Sequence, residues 1–303
     1  MTDLFMEPLH VVQEWNSPAF SKAGIEVQVL RGDMFHPWIQ GNKWYKLRHF
    51  ASLAEKENAP GFISVGGPWS NHLQAIGAFA AEKRLEAVFV IRGEESEWHN
   101  YPSVLQLRKT GARLFGISRS KFRLITSGEV SIRDVLPDPV SLENYTEIPL
   151  GASAPETVKH TARWAEFLCS RYDFSDLILP VASGGTLAGM LAGLPEAISV
   201  HGIDVLNSKG GLEKTTQDLL RNAGMEARAK LHWHGNYHFG SYAQNSPHLS
   251  SFMKALHQDH NIPSEHVYSG KAFFAVSDLA DKGQFLHRKK LLVIHTGGLF
   301  QWQ

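Results

Sequence analysis

Cysteine is all but missing. Cys169 stands alone in 303 residues, so no intrachain disulfide can form. That excludes a disulfide-stapled secreted scaffold and fits a reducing cytoplasm, the expected compartment. Net charge is missing as well: Lys plus Arg and Asp plus Glu number 30 each, leaving no overall field to recruit nucleic acid or an anionic membrane. Neither is expected as a partner, and any anion must be held by a local site. Long apolar runs are also lacking, since no uninterrupted stretch approaches the roughly 20 residues of a membrane-spanning helix. The segment Met1 to His10 carries Asp3 and Glu7 early and has no basic stretch followed by a long apolar run, so no secretory signal is expected. What is present is a chain 43% hydrophobic and 20% charged, able to bury a large core and long enough for about two domains.

The apolar pattern alternates short β-branched runs with longer amphipathic ones. Gly61 to Val65 reads as a strand, Asn71 to Lys83 as a helix, Ala87 to Ile91 as a strand, Ser103 to Thr110 as a helix and Ala112 to Ile117 as a strand. A second series follows: helix Ala154 to Tyr172, strand Leu177 to Val181, a helix from Thr186, strand Ser199 to Val205 and strand Lys290 to His295. Such alternation predicts an α/β protein with two parallel sheets, each covered by helices on both faces. The Gly- and Pro-containing stretch Pro149 to Pro155 is a plausible return from a smaller unit, residues 51–150, to a larger one built from 1–50 and 151–303.

Three separated segments carry residue types that suit one ligand. Gly41-Asn42-Lys43, with Lys46 three residues on and on the same side of a helix, puts two ammonium groups toward one cavity. Taken alone it reads as a turn followed by surface lysines, and the other segments change that reading. Ser70-Asn71-His72 follows a strand and opens a helix, where Ser70 or Asn71 serves as a cap, or the helix N-terminus collects an anion. Ser183-Gly184-Gly185-Thr186 again lies between strand and helix; adjacent glycines turn backbone N–H groups toward one point and two hydroxyls add donors. It has neither the Walker spacing nor the dinucleotide pattern. A lysine that binds an aldehyde, an amide with hydroxyls and a phosphate cradle together suit pyridoxal phosphate.

These segments, in order and with Tyr268-Ser269-Gly270-Lys271 and His295-Thr296-Gly297-Gly298, resemble the 1-aminocyclopropane-1-carboxylate deaminase and D-cysteine desulfhydrase family from about residue 25 to the C-terminus. The resemblance implies the tryptophan-synthase-β-like fold, with a smaller α/β domain inserted in a larger one and the cofactor between them. It implies that Lys43 carries the pyridoxal phosphate covalently, that Asn71 contacts its ring oxygen, and that Ser183, Gly184, Gly185 and Thr186 hold the phosphate with help from Lys46. Ser70 and His72 would bind the substrate carboxylate or assist proton transfer, with Tyr268 beside the cofactor as acid, base or substrate contact. A homodimer acting on a small amino acid is likewise implied.

The sequence departs from the family in three places that bear on chemistry. Tyr45 stands where relatives usually have arginine, and Trp69 where they have glutamine, placing a large ring beside the presumed carboxylate site. Ser269 stands where the deaminases carry glutamate. With Ser269 or Thr296 as partner of the ring nitrogen, deep carbanion delocalisation is disfavoured, which argues for α,β-elimination of the desulfhydrase type over opening of a cyclopropane. β-Replacement of the cysteine-synthase type, or a cofactor-binding relative without turnover, are the alternatives. The closely spaced His232, His234 and His238 invite a metal reading, but no carboxylate lies among them, and the segment containing Tyr237 is expected instead to line the substrate pocket. No metal is expected.

Overall fold

The computed structural model describes residues 6–136, 142–285 and 289–299. Strands fall into two sheets. A six-stranded sheet contains β1 (Val12–Glu14), β2 (Glu26–Leu30), β7 (Asp176–Val181), β8 (Ser199–Asp204), β9 (Lys230–His234) and β10 (Lys290–Ile294), ordered β1-β2-β10-β7-β8-β9. Only the β1–β2 pair is antiparallel. A four-stranded parallel sheet contains β3 (Gly61–Gly66), β4 (Glu86–Arg92), β5 (Arg113–Ile117) and β6 (Thr146–Ile148), ordered β5-β4-β3-β6.

Each sheet has helices and loops on both faces, and strand alternation sorts the core accordingly. Ile178, Ile203, Leu291 and Val293 pack with Phe273 and Val276 of α11 (Ser269–Asp281). Leu177, Leu179, Val181 and Leu292 face the other way, toward α7 (Pro155–Arg171) and α8 (Gly185–Gly193). The central strands β3 and β7 are buried along their whole length, as strands covered on both faces must be. Helix boundaries follow local chemistry. Ser70 caps α3 (Asn71–Lys83) by accepting from the Leu73 N–H, and Pro155 begins α7, where its missing N–H costs nothing.

One expected boundary meets a continuous element. Residues 50 and 51 both lie inside α2 (Asn42–Glu57), so a helix, and no linker, spans that point.

The two sheets share a feature that places the site. In the larger one the chain runs β7, β8, β9 in one direction and returns to lay β10 on the other side of β7; in the smaller it runs β3, β4, β5 and returns with β6 beside β3. Ligands collect at the carboxyl ends of strands at such reversals. Pro180 sharpens the first of them. Its missing N–H removes a ladder bond on one side of the strand only: β8 stays paired with β7 through Pro180 and Val181, whereas the β7–β10 pairing ends at Ile178 while β10 continues along β2 to Ile294. Beyond Ile178 the two strands therefore part.

Candidate active site

Both reversals open on one cavity of about 300 Å³, within the range of small-molecule sites. The segments after β3 and β6 contribute Ser70, Asn71 and Gly151; those after β7 and β10 contribute Ser183, Thr186 and Thr296. Lys43, in the first turn of α2, faces it too.

Close backbone approach assembles these walls. Gly41, at φ +55°, caps α2, and a Cβ there would lie 2.4 Å from the Thr296 carbonyl oxygen. Gly298, at φ +95°, leaves the space taken by the Asn71 amide, 2.1 Å from where its own Cβ would stand. Only glycine satisfies both the dihedral and the distance. Gln40 Oε1 accepts from the Gly298 N–H at 2.7 Å, and the His295 ring spans Pro263 and Gly297, fixing the turn that carries Thr296.

Two lysines dominate the electrostatics, Lys43 half-buried at the cavity wall and Lys46 fully buried. Burial lowers Lys43 to about 8, and among the described residues its Nζ reaches only the neutral Asn42 Oδ1, at 3.4 Å. Lys46 is fully buried; burial, and next the charge of Lys43, bring it well below the usual lysine range. Its Nζ donates to Ser153 Oγ at 2.6 Å, Ser153 Oγ meets Ser183 Oγ at 2.7 Å, and Lys46 Nζ lies 3.1 Å from the position of a Cβ on Gly185. Lys46 is thus seated directly behind the glycine-rich turn, with no carboxylate among its partners. Gly184, at φ +75°, is the N-cap of α8, whose first N–H groups have no partner within the helix and can point at an anion. Asn42 Nδ2 donates to Thr186 Oγ1 at 2.8 Å, tying the lysine turn to the cradle.

Two further polar atoms at the wall have no partner among the described residues: His72 Nδ1 and Thr296 Oγ1, both buried. The tautomer of His72 follows from its neighbour. Ser64 Oγ donates its proton to the Ile148 carbonyl at 2.7 Å, so at 2.8 Å it must accept from His72 Nε2–H. The lone pair is left on Nδ1. Burial, followed by the charges of Lys43 and Lys46, depresses the imidazole well below its usual range and keeps it neutral.

Tyr268 and Tyr242 complete the wall, with Tyr268 Oη donating to Tyr242 Oη at 3.3 Å. Burial raises both phenols, which stay protonated. Glu265, buried, accepts from the backbone N–H groups of Val267, Tyr268 and Ser269 and so fixes the chain at Tyr268. Lys271 Nζ donates to the carbonyls of Val205, His238 and Ser241 at 2.9–3.0 Å, pinning the loop that carries Tyr242.

The structure draws most of the anticipated residues together and leaves three outside. Ser269 Oγ donates to Glu265 at 3.0 Å and does not line the cavity, so of the two hydroxyls considered for the ring nitrogen only Thr296 faces it. Trp69 is turned onto Tyr101, with centroids 4.8 Å apart, and Tyr237 Oη donates to Asp278 at 2.7 Å beside a separate open depression. His232 and His234 lie on β9, stacked on His201; no residue of the expected segment 232–240 lines the cavity, which is reached by Tyr242 just beyond it. Among the described residues no group of three His, Cys, Asp or Glu side chains is placed to hold a metal. Tyr45 also points away, stacking on Trp164 at 4.4 Å and bonding to His10 at 2.8 Å. The cavity-lining Arg92, Phe122 and Tyr242 were not anticipated, because their proximity depends on how the two sheets face each other.

Comparison with known proteins agrees with this geometry. The chain is 30% identical over 287 residues to a putative 1-aminocyclopropane-1-carboxylate deaminase of Pyrococcus horikoshii, covering 91% of this chain and 85% of that protein. It belongs to the 1-aminocyclopropane-1-carboxylate deaminase and D-cysteine desulfhydrase family. A bifunctional D-cysteine desulfhydrase/1-aminocyclopropane-1-carboxylate deaminase of Arabidopsis thaliana is 26% identical over 96% of this chain and 76% of its own length. The crystal structure of a deaminase homologue in this family superposes with a TM-score of 0.82 at 27% identity, over 99% of this chain and 92% of that one. A hydrogen sulfide-producing enzyme from Fusobacterium nucleatum shares the fold, with a TM-score of 0.65 at 13% identity over 99% and 98% of the two chains. No protein-family model matches the chain. Like its relatives the chain is an enzyme, and no helix among its described residues is long and apolar enough to cross a membrane.

Proposed function

We propose that this enzyme is a pyridoxal-phosphate-dependent lyase that takes a small amino acid through α,β-elimination to a 2-oxo acid and ammonia. The observation that carries this reading is a pair of lysines, Lys43 half-buried on the cavity wall and Lys46 fully buried behind it, with no carboxylate among the residues that line the cavity. Buried cations are expensive unless compensated, so the site is built for an anion that comes with the ligand.

The residues present fit the cofactor. Ser183, Gly184, Gly185 and Thr186 at the start of α8, backed by Lys46, would take the phosphate; Asn71 would meet the ring oxygen and Thr296 Oγ1 the ring nitrogen. When bound, the group supplies the sink for the electron pair left at Cα. Lys43, lowered to about 8, offers a neutral amine at accessible pH, both for covalent attachment and for taking the α-proton. Ser70 and the N-terminus of α3 bind the substrate carboxylate. His72 Nδ1 presents a lone pair, so this residue accepts a hydrogen bond and does not donate to the carboxylate. The Tyr268 and Tyr242 hydroxyls hold a proton at the cavity wall. A neutral hydroxyl at the ring nitrogen favours elimination over ring opening, the reading closest to D-cysteine desulfhydrase. We read residues 51–150 as the smaller domain, and the active form as a cytoplasmic homodimer.

The test is direct. Purified protein is expected to carry a visible chromophore that borohydride reduces onto Lys43. Lys43→Ala is expected to lose it together with more than ~10³-fold of the activity; an unchanged spectrum in that variant overturns the assignment.

A further inference from the structure

Arg92 is a cation that the chemistry above does not use. It ends β4, is half-buried, and lines the same cavity as Lys43. Its guanidinium carbon lies over the rings of Tyr242 and Phe122, 5.4 and 5.6 Å from their centroids. These ring contacts are its partners among the described residues. Elsewhere arginines find carboxylates: Arg31 with Asp33, Arg108 with Glu95, Arg119 with Glu97, each at 2.7 Å. The rings ease the charge but leave the five N–H donors of the planar fork without an acceptor.

The space beside that fork is kept open by Gly67, whose φ is not in the left-handed region, so its backbone conformation does not call for glycine. A Cβ there would stand 3.5 Å from Tyr242 Cε1, 3.6 Å from Tyr242 Oη and 3.8 Å from Arg92 Nη2. The missing side chain leaves room where a guanidinium and a phenol hydroxyl converge.

We propose that Arg92 and Tyr242 form a subsite for a second anionic group, so that the substrate is an amino acid whose β-substituent carries a carboxylate, phosphate or sulfonate. This rests on the lyase reading above and deepens it. The α-carboxylate is met at the N-terminus of α3; the second anion reaches Arg92 on the neighbouring strand, where a planar fork suits two-pronged binding of an oxyanion. Elimination balances with such a substituent X. The α-proton leaves to a base, the Cα–Cβ double bond forms as the Cβ–X bond breaks, and the electron pair departs on X. Water then converts the released enamine to 2-oxo acid and ammonia.

The experiment compares O-phosphoserine with β-chloroalanine, each as D and L forms, on the loaded enzyme. Aspartate and glutamate, which lack a leaving group, serve as binding probes through the shift they cause in the visible chromophore. The native enzyme is expected to prefer the phosphorylated substrate. Arg92→Gln should lower the ratio of kcat/KM for O-phosphoserine to that for β-chloroalanine by ~10- to 100-fold, mainly through KM, and weaken the dicarboxylate shift similarly. Arg92→Lys should fall between, keeping charge without the fork. Gly67→Ala, whose new methyl meets only ordinary contacts, should fold and lower the same ratio by filling the subsite. A chromophore that persists while Arg92→Gln slows both substrates equally overturns the anion subsite and leaves the lyase reading standing. A native enzyme without the chromophore overturns both.

Discussion

Strand β7 carries buried charge near both of its ends, and the two ends treat it in opposite ways. At its start Asp176 is satisfied: His201 Nε2 lies 2.9 Å away, and Lys289 Nζ and Ser175 Oγ donate at 2.7 Å. Burial alone would raise that carboxyl, but the hydrogen bonds from His201, Lys289 and Ser175 outweigh it and carry it down to about 2. Past its end, beyond Ser183, Lys43 is half-buried and Lys46 buried, neither with a carboxylate partner among the described residues, and both are pushed down. The same fold can therefore pair its charges where they serve only stability. Leaving two cations uncompensated at the carboxyl end, where the strands part, is the mark of a ligand that brings the missing charge.

The largest effect should come from exchanging a lysine at the unpaired end. Lys46→Met removes a buried ammonium of similar volume, so the cofactor-free protein is expected to gain about 1–3 kcal/mol in denaturant unfolding. The same change should weaken pyridoxal phosphate binding ~100-fold in a fluorescence titration. A variant less stable without cofactor, yet unaltered in affinity, would break the contrast. At the paired end the sign inverts. Asp176→Asn leaves His201 and Lys289 without their anion and is expected to cost about 2 kcal/mol, with or without cofactor. Because Asp176 has its folded pKa lowered from 3.8 to about 2, its contribution is present above about 4 and lost as pH falls toward 2. Native and variant unfolding curves should converge over that interval.

Much of the fold was legible in the sequence because period and punctuation agree locally. The helix from Asn71 to Lys83 is observed with those bounds, and Ser70 caps it as its residue type suggests. The strands from Gly61, Ala87 and Leu177 extend by a single residue at one or both ends. The three glycine- and lysine-bearing segments were legible as a site because each lies between a strand and a helix or at a helix start, where backbone donors are exposed. Orientation was not legible. Trp69 and Ser269 adjoin residues of the cavity wall yet turn to Tyr101 and Glu265, since the packing partner available to a side chain depends on tertiary neighbours. Arg92 and Tyr242 lie 150 residues apart in numbering, and nothing in the local pattern of either announces that one will lie over the ring of the other.

The smallest expected effect is a pH dependence of cofactor capture, and it distinguishes the two ends without any substitution. A lysine attacks an aldehyde only as the neutral amine. Exposed, with its ordinary value near 10.5, it would be neutral in under about one part in a thousand at pH 7; lowered to about 8, Lys43 is neutral in roughly one part in ten. The rate at which cofactor-free protein takes up pyridoxal phosphate should accordingly rise about tenfold from pH 6 to pH 7, more slowly toward 8, and level above it. Stopped-flow absorbance at constant ionic strength measures this. A plateau reached only above pH 10 would mean that the Lys43 ammonium has a compensating anion after all, and the two ends of β7 would no longer differ in kind.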